Sequence, residues 1–250
     1  MTTSNRYPVF YDYYRTHALR LDLGILLFGA AFFLTTPVYP IQSVGSFMID
    51  ALGNQVVTLW ILPVVLTLVS YDLMAPGISA YRVLVLPRAA SYAQFVRPYL
   101  VIAGCNSLAV IGLAAVGSLL AGLIRGYAWS SPAVYPLAAL AGVPVIVERL
   151  VMIGCFVWWF ESVTLLASLI TRRVLGAFLT DIGLGAIPLI IFKLPLTLLH
   201  RYPLYPGASL FWGNYGLAAQ PALIDFVGLT WVAVTSGVLW FVCNHARRQY

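Results

Sequence analysis

Between Pro98 and Ile124 the chain carries no charged side chain. A helix over that run is about 40 Å long at 1.5 Å per residue, more than the roughly 30 Å hydrocarbon core of a bilayer. Further apolar runs lie at about 21–36, 55–71, 145–170, 174–199 and 223–243. The pattern predicts six membrane-spanning helices and therefore an all-α integral membrane protein. Composition agrees, because 61% hydrophobic and 9% charged residues over 250 positions, with a mean hydropathy of +0.90, leave no material for a water-soluble domain. Residues 1–250 are expected to form a single transmembrane domain. The run at 21–36 is short and must borrow flanking residues, whereas Leu137 to Ile170 is too long for one upright crossing and is broken at Pro144.

The net charge of +6 comes from thirteen arginines and one lysine, Lys193. With the N-terminus placed in the cytoplasm, Arg6, Arg15, Arg20, Arg82, Arg88, Arg97, Arg172, Arg173, Arg247 and Arg248 fall inside. Only Arg125, Arg149, Lys193 and Arg201 do not. This asymmetry predicts both termini on the cytoplasmic side.

Residues 1–20 mix Tyr, Phe and Arg without the short apolar core and small-residue cleavage site of a signal peptide. They are expected to stay on the protein as an interfacial helix, with their rings at headgroup depth. The connector 73–97, LMAPGISAYRVLVLPRAASYAQFVR, has three arginines and no acid, and its composition suits a segment lying along the cytoplasmic surface. Residues 43–54, with Ser43, Ser46, Asp50 and Asn54, are expected to be a loop. Residues 200–222, rich in Tyr, Trp, Pro and Gly, suit a partly inserted external hairpin. The third span is dense in small residues, among them Gly112, Gly117 and a Gly-x-x-x-Gly at Gly122 and Gly126. It predicts a helix–helix contact, within one protomer or between two. No internal repeat of the kind found in inverted-repeat transporters is visible.

Several chemistries are excluded. A P-loop needs Gly-x-x-x-x-Gly-Lys-Ser/Thr, and Lys193 follows Ile-Ile-Phe. The chain is therefore not expected to be an enzyme or to bind a cofactor. Cys105, Cys155 and Cys243 have neither zinc-site nor disulfide spacing, and His17, His200 and His245 fall on opposite sides of the membrane, so no metal site is expected. Ionisable residues inside spans are costly and mark functional or structural positions. Glu148 and Arg149 fall near the outer end of the fourth span, about 100° apart on a helix, and each needs its own partner. Glu161 lies roughly 20 Å deeper; it either lines a pathway or locks helices together. Asp181 is expected to pair with Arg172 or Arg173, since Lys193 is about 18 Å away.

The layout of an interfacial helix, six spans with both ends inside, a basic connector between spans two and three and an aromatic hairpin before span six resembles the permease subunits of type-2 ABC exporters. YRVLVLPRAASYAQFVRPYL at 81–100 is similar to that family's coupling-helix region. SLITRRVLGAFL at 168–179 is similar to its inner turn. The resemblance implies that Arg82, Arg88, Ser91, Tyr92 and Arg97 form or flank a docking surface for a separate ATPase dimer, which would bind ATP and Mg. The same arginines could instead hold anionic lipid. It also implies a second permease copy or a sister permease, a multi-pass location in a prokaryotic cytoplasmic membrane, and no nucleic-acid partner. Apolar, aromatic walls point to an amphipathic peptide, antibiotic or lipid-like cargo. The alternatives are a non-transporting membrane scaffold or sensor, or an ion channel or secondary transporter.

Overall fold

The architecture comes from a computed structural model, which describes residues 8–37, 41, 43–54, 56–75, 92–130, 143–191 and 221–245. Among the described residues the chain is helical, with one isolated β-bridge between Ser43 and Ala128. Helices α1 (Pro8–Thr16), α2 (Ala18–Leu34), α3 (Val44–Leu52), α4 (Leu62–Ser70), α5 (Tyr92–Ile124), α6 (Val143–Thr171), α7 (Val174–Ile191) and α8 (Pro221–His245) follow one another, with a π-helical segment, Val56–Ile61, between α3 and α4. Among the described residues two helices are long and apolar enough to cross a membrane, Ala93–Ile124 and Val145–Thr171; the bent pair Val44–Leu52 and Val56–Ser70 passes the same test only when taken together, as a broken span or a re-entrant loop.

The expected loop at 43–54 is instead a helix in the core. Ser43 caps α3, its hydroxyl accepting from the Ser46 amide at 3.1 Å, as an N-cap should. Asp50 and Ser46 are buried along with Phe47 and Leu52. After Gly53 the path bends by 42° into the π segment and α4. Pro63 offers no N–H to the turn before it, and the helix takes π geometry there before regular α-helix resumes. The helical path thus begins at Val44, about three helical turns before the apolar run at 55–71.

Helix α5 starts at Tyr92, ahead of the expected start at Pro98, which sits inside its first two turns. The small-residue face does make a helix contact, and within this chain. A Cβ on Gly117 would stand 2.9 Å from Phe32 Cδ2, and one on Gly122 3.1 Å from Phe47 Cδ1, so the rings of α2 and α3 lie directly on the α5 backbone. Gly126 takes no part in that face. Its φ of +78°, with Tyr127 N–H donating to Gly122 O and Gly126 N–H to Leu123 O, makes it the left-handed cap that ends α5.

Two apolar clusters hold the bundle. The larger joins Phe28 and Phe32 of α2, Phe47 of α3, Leu62 and Leu66 of α4, and Phe156 and Phe160 of α6. The second sits at the α1 end and joins Tyr13, Leu73, Met74, Phe95, Tyr99 and Leu169 with Leu239 and Cys243 of α8. At the opposite end, Arg125 donates to the Phe33 carbonyl at 2.8 Å and also reaches the Thr35 carbonyl. Those are acceptors left over at the end of α2. Between α6 and α7 the chain turns at Arg172, with φ 58°, and Arg173, both exposed.

Candidate functional site

Glu161 is completely buried. Its Oε1 accepts two hydrogen bonds, from Ser70 Oγ of α4 and Asn106 Nδ2 of α5, each at 2.9 Å. Tyr14 of α1 donates to Asn106 Oδ1 at 3.0 Å, which fixes the amide so that its NH2 faces the carboxyl. Burial pushes the Tyr14 hydroxyl's pKa well above its ordinary value, so the phenol keeps its proton and donates. One chain of polar contacts therefore runs from α1 through α5 to α6 and back to α4. Apolar helices gain little from one another in lipid, so contacts of this type give them register. Glu161 Oε2 has no hydrogen-bond partner among the described residues.

Beside this chain lies a second polar group that pins α1 to the end of α4. Tyr13 donates to the Val69 carbonyl at 2.9 Å and its ring stacks on His17 at 4.6 Å. His17 Nε2 lies 3.1 Å from Asp72 Oδ1, and Arg20 Nη1 donates to Asp72 Oδ2 at 2.6 Å. The Arg20 guanidinium also lies over the Tyr71 ring at 5.1 Å, a cation–π placement. Helix α1 is therefore fastened to the bundle through Tyr13 and Tyr14, while His17 and Arg20 at the start of α2 hold Asp72 just past α4.

A groove of about 340 Å³ opens alongside, between α2, α4 and α5, with Glu161, Asn106 and Asp22 in its lining. A second, of about 350 Å³, lies between the π segment, α4 and α7, with Asp181 in its wall. Asp181 does not pair with Arg172 or Arg173. It lies about two helical turns further along α7, completely buried, and meets the hydroxyl of Thr164 on α6. The two arginines stay at the exposed turn.

Of the other residues singled out in the sequence, Arg149 is buried, and its guanidinium occupies the space that a Cβ on Gly53 would take, with Nη1 only 1.7 Å from that position. Glu148 is half-buried one residue earlier on α6. Arg97 is exposed on the first turns of α5, and Tyr92 is that helix's first residue. Arg82, Arg88 and Ser91, like Lys193 and the hairpin up to residue 220, lie outside the described residues. The structure does not bring Glu148 and Arg149 to Glu161: they stand 13 and 12 positions earlier on α6. Its donors Ser70 and Asn106, and Tyr14 behind Asn106, are uncharged, so a search for ionisable residues does not reach them. The signal that would have found them is an amide in the middle of an apolar run.

Comparison of the chain with protein-family models, with curated proteins and with solved structures finds no match in any of the three.

Proposed function

We propose that the chain is the membrane-spanning permease subunit of an ATP-driven exporter. It would have six spans, both termini in the cytoplasm, and a second copy or a sister permease beside it on two separate ATPase chains. Its cargo would be an amphipathic peptide, an antibiotic or a lipid-like molecule, moved across a prokaryotic cytoplasmic membrane. The supporting observation is how the connector between α4 and α5 is mounted. Leu73 and Met74 on its near side and Phe95, Val96 and Tyr99 on its far side are all buried in one apolar cluster with Tyr13 of α1, Leu165 and Leu169 of α6, and Leu239 of α8.

Close-packed side chains pass displacement on with little absorbed between them. A soluble partner that pushed on the connector would thus move α1, α4, α5, α6 and α8 together. That is what coupling ATP closure to a two-state pathway requires. Helix α5, 33 residues and so about 50 Å long, outruns the hydrocarbon core and carries Arg97 clear of it.

The test is a pull-down of the detergent-solubilised chain from its native host, comparing wild type with an Arg82→Ala, Arg88→Ala, Arg97→Ala variant. ATPase activity that co-purifies with wild type and is lost from the variant supports the reading and locates the docking surface. No ATPase with either chain sinks it. A scaffold or sensor is the second reading, favoured by the closed hydrogen bonds on Glu161 Oε1. Glu161→Gln separates the two: loss of transport with assembly intact supports a pathway role, and loss of assembly a locking role.

A further inference from the structure

We propose that the groove beside Glu161 binds a cationic single-chain amphiphile, with an ammonium head on Glu161 Oε2 and an alkyl chain along α2 and α4. Three observations converge on that occupant. Oε1 is fully used by Ser70 and Asn106, while Oε2 is buried and has no partner among the described residues. A buried acceptor in that state is rare in folded proteins and calls for a donor. The charged groups lining the groove are both acidic, Glu161 and Asp22, and no arginine, lysine or histidine is in its lining. A carboxyl group so deep in an apolar bundle is best met by a cation carrying its own hydrogen-bond donors.

The rest of the wall is apolar, from Ile25 and Phe28 of α2, Val65 and Val69 of α4, and Leu113 of α5. Its volume of about 340 Å³ is at the small end of small-molecule pockets. Asp22 and Ala109 are exposed, so the groove opens to the surroundings of the bundle, and an amphiphile can enter sideways with its head passing Asp22. A fatty acid would set its carboxylate against the two acidic groups Glu161 and Asp22, and a fatty alcohol would bring a cation to neither.

The proposal concerns this chain alone and stands or falls apart from the exporter reading. The experiment uses the purified full-length chain in discs of neutral phosphatidylcholine, with dodecylamine as probe and dodecanol and dodecanoate as controls. The readout is a saturable rise in the unfolding midpoint. Dodecylamine should raise it and the two controls should not. Glu161→Gln, which keeps the shape and removes the ionisable carboxyl that would pair with the ammonium, should weaken the apparent Kd about tenfold or more. Ala109→Phe fills the exposed mouth without touching the bonds to Oε1 and should abolish the effect. An equal rise with dodecanoate or dodecanol, a rise unchanged in Ala109→Phe, or no rise at all, as when a water molecule alone satisfies Oε2, overturns the proposal. Should Glu161→Gln fail to fold, the probe comparison and Ala109→Phe still decide.

Discussion

Asn106 is the hub through which α1 reaches Glu161, and its contribution can be measured as a coupling energy. Asn106→Leu keeps the side-chain volume close and removes two hydrogen bonds, one from Tyr14 and one to Glu161. A neutral bond is worth about 1 kcal/mol and one to a charged group about 1.5 to 3 kcal/mol, but within membranes such contacts average about 0.6 kcal/mol in double-mutant cycles. The expected cost of Asn106→Leu is therefore about 2 kcal/mol. Tyr14→Phe removes only the first bond and should cost about 1 kcal/mol. Asn106→Leu already removes the bond from Tyr14 to Asn106, so the double variant should cost less than the sum of about 3 kcal/mol, close to about 2 kcal/mol. The assay is reversible unfolding in mixed micelles titrated with a denaturing detergent, with hydrogen exchange of the α1 amides as a local readout. A double variant as destabilised as the sum of the singles would refute the relay, and so would an Asn106→Leu chain within 0.5 kcal/mol of wild type.

The glycines of α5 offer an internal control: Gly117→Ala should destabilise by about 1 to 3 kcal/mol, because the fully buried Phe32 ring has no room to retreat. Gly112→Ala, with nothing within 4 Å, should be neutral or stabilising by up to about 1 kcal/mol in the same unfolding assay. Asp72→Asn should cost about 1 kcal/mol and free the start of α2, seen as faster exchange of the amides near Arg20. Because Arg20 is 41% exposed, part of that loss should shrink at high salt. Gly126→Ala should cost about 1 kcal/mol through its left-handed φ of +78°. Equal effects at Gly112 and Gly117, or none at Gly126, would contradict the packing described.

The sequence was most informative where one physical preference acts alone. Helix α6 is found within two residues of its expected start, because Pro144 is tolerated in a first turn and nothing later competes. The separation of Glu161 from Glu148 along one helix is likewise legible from counting residues. The polar chain that reaches Glu161 is not, since Ser70, Asn106 and Tyr14 belong to three other helices and no spacing along the sequence links them. At residues 43–54 polarity alone suggests a loop, whereas the spacing of the polar residues carries the helix. Ser43, Ser46, Asp50 and Asn54 stand three, four and four apart, which is one face of a helix. Pro98 was given too much weight as a start, since proline can sit inside the first turns of a long helix where packing holds the rest. Gly126 looked like a packing glycine and is a terminator, because Gly-x-x-x-Gly spacing carries no information on where the helix stops.

The polar chain around Glu161 also sets an order of assembly. Tyr14 leaves the ribosome 147 residues ahead of Glu161, an interval of roughly 7 to 30 s at ordinary rates of synthesis. Throughout that time α1 has neither its full hydrogen-bond chain nor the α6 part of its apolar seat. Glu161, by contrast, is made last among the four, after Ser70 and Asn106. The buried carboxyl is thus synthesised only when both of its donors already exist in the chain. Helix α1, synthesised well before α6, can complete its contacts only after α6 is made.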